Sequence, residues 1–482
     1  MITVKLNKRD FEYDIHSLVR AFYPGVDVPL YLEGETQPEG FEKQLEVFYG
    51  EDGIRLIWRD ADGAVLAQKE RAVDDYEDRT ATKNTLKALL YELLSEYTGQ
   101  KLPWGNLTGI RPTKIPMGLL EQGWKNTEIA DYMRKTYYTS NEKTALAISI
   151  ANRERAILKD IDYQNGYSLY VGIPFCPSIC LYCSFGSSPL SVWKNRVDDY
   201  LDALCREIEQ TAHIWQGKTL DTVYIGGGTP TTLSPEQMQR LLEKLEECFD
   251  FSHLKEFTVE AGRPDSITAE KLQVLKKHPV TRISINPQTM NDGTLEVIGR
   301  GHTAAQTKEA FAMARQLGFD NINMDLIVGL PGEGYPEVEY TMQQVTALAP
   351  DSITVHSLAL KRATRLNLFK DKYAPVSFVN SGEIMDMTAR YAAQAGQFPY
   401  YLYRQKNMAG NFENVGYARE GAAGIYNILI MEEKQSILAL GAGASTKIVS
   451  GGRIERIENV KDIRSYIERI DEMIARKSKI MG

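Results

Sequence analysis

At 482 residues the chain is long enough for two or three hydrophobic cores. Its apolar fraction of 43%, charged fraction of 25% and net charge of −8 are those of an ordinary globular protein, with no clustered basic face for nucleic acid and no apolar run of membrane-spanning length. Five cysteines, three of them in one stretch, do not make a disulfide framework, and the first residues are charged with no signal-peptide core, so the expected setting is reducing and cytoplasmic.

Residues 1 to about 75 read as a small β-rich unit. Gln44–Tyr49, Ile54–Trp58 and Ala64–Ala67 alternate in part between apolar and polar, separated by Glu51-Asp-Gly and Asp60-Ala-Asp-Gly turn signals. An amphipathic helix follows, with Leu86, Leu89, Leu90, Leu93, Leu94 and Tyr97 on one face and Gly99 at its end. A Gly- and Pro-dense loop, Leu102 to Ile115, leads into helices up to about residue 160. Its Arg111 and Lys114 suit either an anionic ligand or a tie to the core.

From residue 167 strands and helices alternate. The expected strands are Ser168–Ile173, Thr222–Ile225, Phe257–Glu260, Arg282–Ile285, Ile322–Leu326 and Ile353–Val355. Most are followed by a helical pattern, one opened by the capping box Ser234-Pro-Glu-Gln. Such a run predicts a parallel sheet covered by helices, with the active site at the C-terminal strand ends. The unusual residues fall at those ends. The first strand runs into Tyr170-Val-Gly-Ile-Pro-Phe-Cys-Pro-Ser-Ile-Cys-Leu-Tyr-Cys183, whose Cys176, Cys180 and Cys183 are spaced C-x3-C-x2-C. Three thiolates hold three irons of a 4Fe–4S cube and leave the fourth open. A zinc site would need a fourth ligand, and no His or further Cys lies within twenty residues. Cys205 and Cys248 fall in helical patterns and read as small buried residues.

C-x3-C-x-aromatic-C after a strand resembles the radical S-adenosyl-L-methionine enzymes. The longer run Y-x-x-I-P-F-C-P resembles the oxygen-independent coproporphyrinogen III oxidase family, closest to its HemZ-type branch, over roughly residues 165 to 482. The resemblance implies an α/β fold, an open partial (β/α)6 barrel at 166–360. Before it would come a small α+β N-terminal domain at 1–105 and a helical connector at 106–165, and after it an α+β C-terminal domain covering the substrate at 361–482. It implies a 4Fe–4S cluster on the three cysteines and S-adenosyl-L-methionine on the open iron, with Tyr182 beside the adenine. Gly227, Gly228 and Thr229 would meet the methionine end, Gln288 and Asp325 the ribose, and Arg300 the carboxylate, for which a planar guanidinium fork is suited. Tyr170, Glu260 and His356 are the candidate catalytic residues, Glu260 doubling as a cofactor contact; His356 reads equally well as a core histidine.

The chain departs from the classical oxidases at two positions: Phe185 replaces a fourth cysteine, and Gly172 replaces a histidine. The expected reaction is oxidative decarboxylation of coproporphyrinogen III propionates to vinyl groups, with a flavodoxin- or ferredoxin-type electron donor. Lys361, Arg362 and Arg365, and after them Arg404 and Lys406, are the cations available to a tetrapyrrole's propionates. The haem-chaperone relatives carry H-N-x-x-Y-W in the tyrosine-rich segment, where this chain has Glu413-Asn-Val-Gly-Tyr-Ala418. Haem trafficking and radical chemistry on another substrate, such as haem, are the alternatives. Beyond that segment, Gly424–Glu432 and Ser436–Leu440 read as strands and Val460 to about Ile474 as an amphipathic helix.

Overall fold

The computed structural model describes residues 1–184, 186–359, 379–405, 412–451 and 453–478. Phe185, Lys361, Arg362, Arg365 and Lys406 lie outside the described residues. The chain divides into two compact units, Met1–Asn152 and Arg153–Gly482.

The first unit is built on five strands, β1 (Ile2–Leu6), β2 (Leu30–Leu32), β3 (Lys43–Tyr49), β4 (Gly53–Asp60) and β5 (Val65–Ala72), in the order β2-β1-β3-β4-β5. β1 is parallel to both neighbours, and the rest is an antiparallel meander. The expected β-rich reading missed a helix, Glu12–Phe22, whose Ile15, Leu18, Val19 and Phe22 enter the core. With only eleven residues between two short strands, its period is easily lost. The long helix is Arg79–Thr98: Asp78 caps its start by accepting from the Thr80 and Ala81 N–H groups, and Gly99, at φ 71°, ends it. Three helices, Lys114–Glu121, Asn126–Tyr137 and Asn141–Ile157, occupy the expected helical connector.

The second unit contains the barrel strands β6 (Gly166–Ile173), β9 (Thr219–Gly227), β10 (Glu256–Gly262), β11 (Arg282–Ile285), β12 (Ile322–Val328) and β13 (Ser352–Ser357). Each is parallel to the next, as the six expected strands require. Two short strands, β7 (Phe175–Cys176) and β8 (Ser188–Pro189), brace the two sides of the cysteine loop. Helices lie between the strands: Val197–Thr211 turns Val197, Tyr200, Leu201, Leu204 and Ile208 inward, and Ser234 caps Pro235–Cys248 with the reciprocal Gln237 bond of a capping box.

The remaining strands are β14 (Phe398–Tyr403), β15 (Asn414–Ala418), β16 (Ser436–Leu440), β17 (Ser445–Ser450) and β18 (Arg453–Glu458). They extend the barrel sheet at both edges. The full order of eleven strands is β14-β15-β13-β12-β11-β10-β9-β6-β16-β17-β18. β15 is antiparallel to β13, while β16 lies parallel to β6 with Ala439 opposite Tyr170. Gly424–Glu432 corrects the sequence reading: Ile425–Glu432 is a helix. An apolar run of this length is ambiguous by pattern alone. Here the buried Glu256 carboxylate decides it, accepting from the first N–H groups of the helix at Ile425 and Tyr426. The expected final helix is two, Ile463–Glu468 and Ile470–Ser478, broken at Arg469.

Candidate functional site

The cysteine loop leaves β6 and β7 and is held by its neighbours. Leu181 N–H bonds the Ile298 carbonyl, Ser178 Oγ bonds the Gly299 carbonyl, and Cys183 N–H bonds the Cys180 carbonyl. Behind it lies the turn Gly226-Gly-Gly-Thr229. Gly227 has φ 105°, and a methyl on Gly228 would stand 2.5 Å from the Phe175 carbonyl, so this close crossing admits only glycine. The Gly228 and Thr229 N–H groups donate to the Ile173 and Phe175 carbonyls, both at 2.7 Å. The turn is thus locked onto the cysteine strand, and these two amides are used internally. Thr229 Oγ1 stands 3.5 Å from Cys176 Sγ.

Arg300 and Tyr182 are brought together beside Cys180. Arg300 Nη1 donates to Tyr182 Oη at 2.9 Å and lies 3.9 Å from Cys180 Sγ, while Nη2 donates to the Asn286 carbonyl. Arg263, which the sequence reading does not single out, also places its Nη1 3.9 Å from Cys180 Sγ. Near them sits His302, which burial and the Arg300 and Arg263 charges push down to about 3, so the ring is neutral.

A second group lines the sheet further along. Tyr170 and Tyr224 face each other on β6 and β9 and stack at 6.3 Å; Tyr426 stacks on Tyr224 at 4.6 Å and 22°. Tyr224 Oη donates to Glu260, and so does the Gly227 N–H. Burial nonetheless dominates and, with Asp325 nearby, pushes the Glu260 carboxyl up to about 7. The folded protein therefore holds this proton where an unfolded chain, at 4.5, releases it. The resulting stabilisation is complete below pH 4.5 and is lost as pH rises through 7, about 3 kcal/mol in all. Glu260→Gln is expected to flatten that part of the pH–stability curve measured by urea unfolding; an unchanged slope would remove Glu260 as its source.

Asp325 anchors a third group. Burial alone would raise its pKa, but attraction to His356 and the bond from Asn323 Nδ2 (2.7 Å) bring it below the usual carboxylate range. His356 Nε2 stands 3.8 Å from Asp325 Oδ1, and Tyr403 Oη lies 3.4 Å from His356 Nδ1. Asn323 is fixed in turn by Ser352 and Thr354, a buried ladder across β12 and β13. Gln288, at φ 70°, joins this group through its backbone, donating to the Asp325 carbonyl and accepting from Ile327. Its side-chain Oε1 is buried and has no hydrogen-bond partner among the described residues.

Twelve of the thirteen candidate site residues thus lie on the strands or in the loops that directly follow them, and Arg300 comes after the short helix Asp292–Val297. Arg263, Asp265, Tyr224, Tyr426, Asn323 and Tyr403 join them without having been singled out. These gain their meaning from neighbours on other strands and loops, which spacing along the chain does not reveal.

The Radical SAM superfamily profile matches residues 170–345. The chain is similar to the oxygen-independent coproporphyrinogen-III oxidase-like protein HemZ of Bacillus subtilis, at 41% identity over 93% of this chain and 87% of that protein. It is also similar to the heme chaperone HemW of Bacillus subtilis, at 33% identity over 63% of this chain and 76% of the relative. Among solved structures it resembles the Escherichia coli coproporphyrinogen III oxidase HemN, a radical SAM enzyme, with TM-score 0.53 and 26% identity over 66% of this chain and 73% of that one. No helix among the described residues is long and apolar enough to cross a membrane. Proteins of the matched superfamily use a 4Fe–4S cluster and S-adenosylmethionine. The site suits both. Three cysteines on one loop braced by β7 and β8 are the soft thiolate ligands that a 4Fe–4S cluster takes. The unpartnered Gln288 oxygen and the Asp325 carboxylate are acceptors suited to a polar ligand's hydroxyls. With this identity running over most of both chains, the protein belongs to the radical SAM superfamily and, within it, to the oxygen-independent coproporphyrinogen III oxidase family in its HemZ-type branch.

Proposed function

We propose that this protein oxidatively decarboxylates two propionates of coproporphyrinogen III to vinyl groups, giving protoporphyrinogen IX, with electrons reaching it from a flavodoxin- or ferredoxin-type donor. When bound, the cluster and S-adenosylmethionine supply the one-electron chemistry that removes a hydrogen atom from the propionate β-carbon. Cys176, Cys180 and Cys183 hold the cluster. Tyr182 would lie beside the adenine, Gln288 and Asp325 would accept the ribose hydroxyls, and Arg300 would meet the carboxylate. Thr229 and the glycine turn back the methionine end by pinning the cysteine strand. Glu260, neutral or charged near pH 7, holds or releases a proton beside Tyr224 and Tyr170. His356 is kept in place by Asp325 and Tyr403.

The observation that carries this reading over haem carriage is Glu413. It replaces the histidine of the chaperone motif, is 1% exposed on the approach to β15, and faces the buried Arg404. Burial pushes the Arg404 guanidinium down to about 10, and the Glu413 charge opposes that fall. The Glu413 carbonyl accepts from Ser357 Oγ at 2.9 Å, fixing the segment to β13. A carboxylate buried against a guanidinium is a poor axial ligand for haem iron, and the buried Ala418 offers no tryptophan face. It also leaves Arg404 an unsuitable anchor for a propionate.

The test is anaerobic incubation of the loaded protein with coproporphyrinogen III, dithionite and S-adenosylmethionine, followed by product analysis, beside incubation with haem. Formation of protoporphyrinogen IX with CO2 release is expected. Untouched coproporphyrinogen III together with a stable, stoichiometric Soret band would replace the proposal with haem carriage.

A further inference from the structure

Two guanidinium groups converge on one sulfur. Arg263 Nη1 and Arg300 Nη1 each lie 3.9 Å from Cys180 Sγ, and Arg263 and Arg300 are only 4% and 7% exposed. The two differ in what else they hold. Arg300 spends its fork on the Tyr182 hydroxyl and the Asn286 carbonyl, at the place where S-adenosylmethionine is proposed to bind. Arg263 is engaged instead by the cysteine loop and by Asp265. Its Nη1 grips Ser178 of the cysteine loop through both the carbonyl (3.2 Å) and Oγ (2.7 Å). Its Nε and Nη2 form a two-point bridge to Asp265 Oδ1 and Oδ2 at 2.9 and 2.6 Å. Such a fork-to-carboxylate pair fixes the plane of the guanidinium.

Both residues follow β10, which ends at Gly262. A buried cation held against a thiolate stabilises the more negative state of anything that thiolate carries. Charge and hydrogen bonds around the sulfurs are among the levers by which a protein sets a cluster's potential. We infer that Arg263, oriented by Asp265, is the residue that raises the reduction potential of the cluster carried on Cys180, while Asp265 limits that rise by cancelling part of the charge. The inference depends on the superfamily's cluster and not on which substrate the protein acts upon.

The two residues predict shifts of opposite sign, which a purely structural role for the pair would not produce. The full-length protein and its Arg263→Gln and Asp265→Asn variants are loaded with cluster under anaerobic conditions. Without S-adenosylmethionine, reduction is followed by electron paramagnetic resonance at poised potentials. Glutamine keeps a donor near Ser178 but removes the charge, so the midpoint is expected to fall by about 59 mV, a roughly tenfold loss in the reduced-to-oxidised ratio for a one-electron couple. Asparagine keeps an acceptor for Arg263 but removes the compensating charge, so the midpoint is expected to rise. Shifts in the same direction, or no shift in variants with wild-type iron content, would overturn the inference. Should Arg263→Gln fail to hold iron, Asp265→Asn decides alone: a rise supports the assignment and a fall or no change ends it.

Discussion

Alanine at Cys176, Cys180 or Cys183, one at a time, is expected to abolish the brown chromophore of the anaerobically loaded protein and all cleavage of S-adenosylmethionine. Alanine at Cys205 or Cys248 is expected to leave iron content unchanged. The first three sit on one short loop whose backbone is fixed on both sides, by Ile298 and Gly299 beyond β11 and by the braced pair β7 and β8. Removing one thiolate leaves a corner of the cube without its ligand, and the rigid loop has no second sulfur to offer. Cys205 is buried in Val197–Thr211, on the helix face that packs against Pro235–Cys248, and Cys248 ends that second helix. Those two cysteines are part of the helical layer. Iron per chain and visible absorbance make the measurement. Loss of iron in the Cys205 or Cys248 variant would mean that the ligands are misassigned.

Lys477→Met is expected to destabilise the second unit by about 3–5 kcal/mol, because it strands a buried carboxylate. Glu207 is 0% exposed and accepts four bonds: from Gly441 N–H (2.8 Å), Asn459 Nδ2 (2.8 Å), Tyr466 Oη (2.6 Å) and Lys477 Nζ (2.6 Å). Lys477 is the only formal positive charge in that set, and its own second contact is Asn459 Oδ1. Together they tie the last helix to the helix before β9. They also reach the active-site strand, because a methyl on Gly441, at φ 100°, would lie 2.5 Å from the Gly172 carbonyl. The double variant Glu207→Gln/Lys477→Met should recover part of the loss, since an uncharged pair no longer needs a counter-ion. Urea unfolding of the single variant within 1 kcal/mol of wild type would show that the cluster contributes little.

The barrel was legible because its strands are buried on both faces and are written as short apolar runs closed by turn residues, each followed by an amphipathic helix. The candidate cofactor residues stood out because they recur at family spacings behind the barrel strands: Gln288, Arg300 and Asp325 need no partner to be noticed. Arg263 and Asp265 were not, since their meaning comes from a loop that departs from β6, far away in sequence. Glu207 and Lys477 read as the polar face of two ordinary helices, and nothing in their spacing announces burial. Tyr426 was misplaced for a related reason. Its helix begins where the Glu256 carboxylate stands, and Glu256 lies on β10. The sheet extension was the largest omission, because pattern finds strands but does not say which strand a distant one will choose.

The choice made by β16 has a consequence for how the protein is born. β6 carries the cysteine loop and is buried along nearly its whole length, with β9 on one side and β16 on the other. β9 emerges from the ribosome soon after β6. The other neighbour is about 270 residues further on, a delay of roughly 15 to 50 s at ordinary rates of translation. For that interval the apolar strand that leads into the cysteines shows a bare row of N–H and C=O groups to its surroundings, the kind of surface that recruits foreign strands. Assembly of the metal site on a nascent chain would begin beside that open row, and only the arrival of Ser436–Leu440 shuts it.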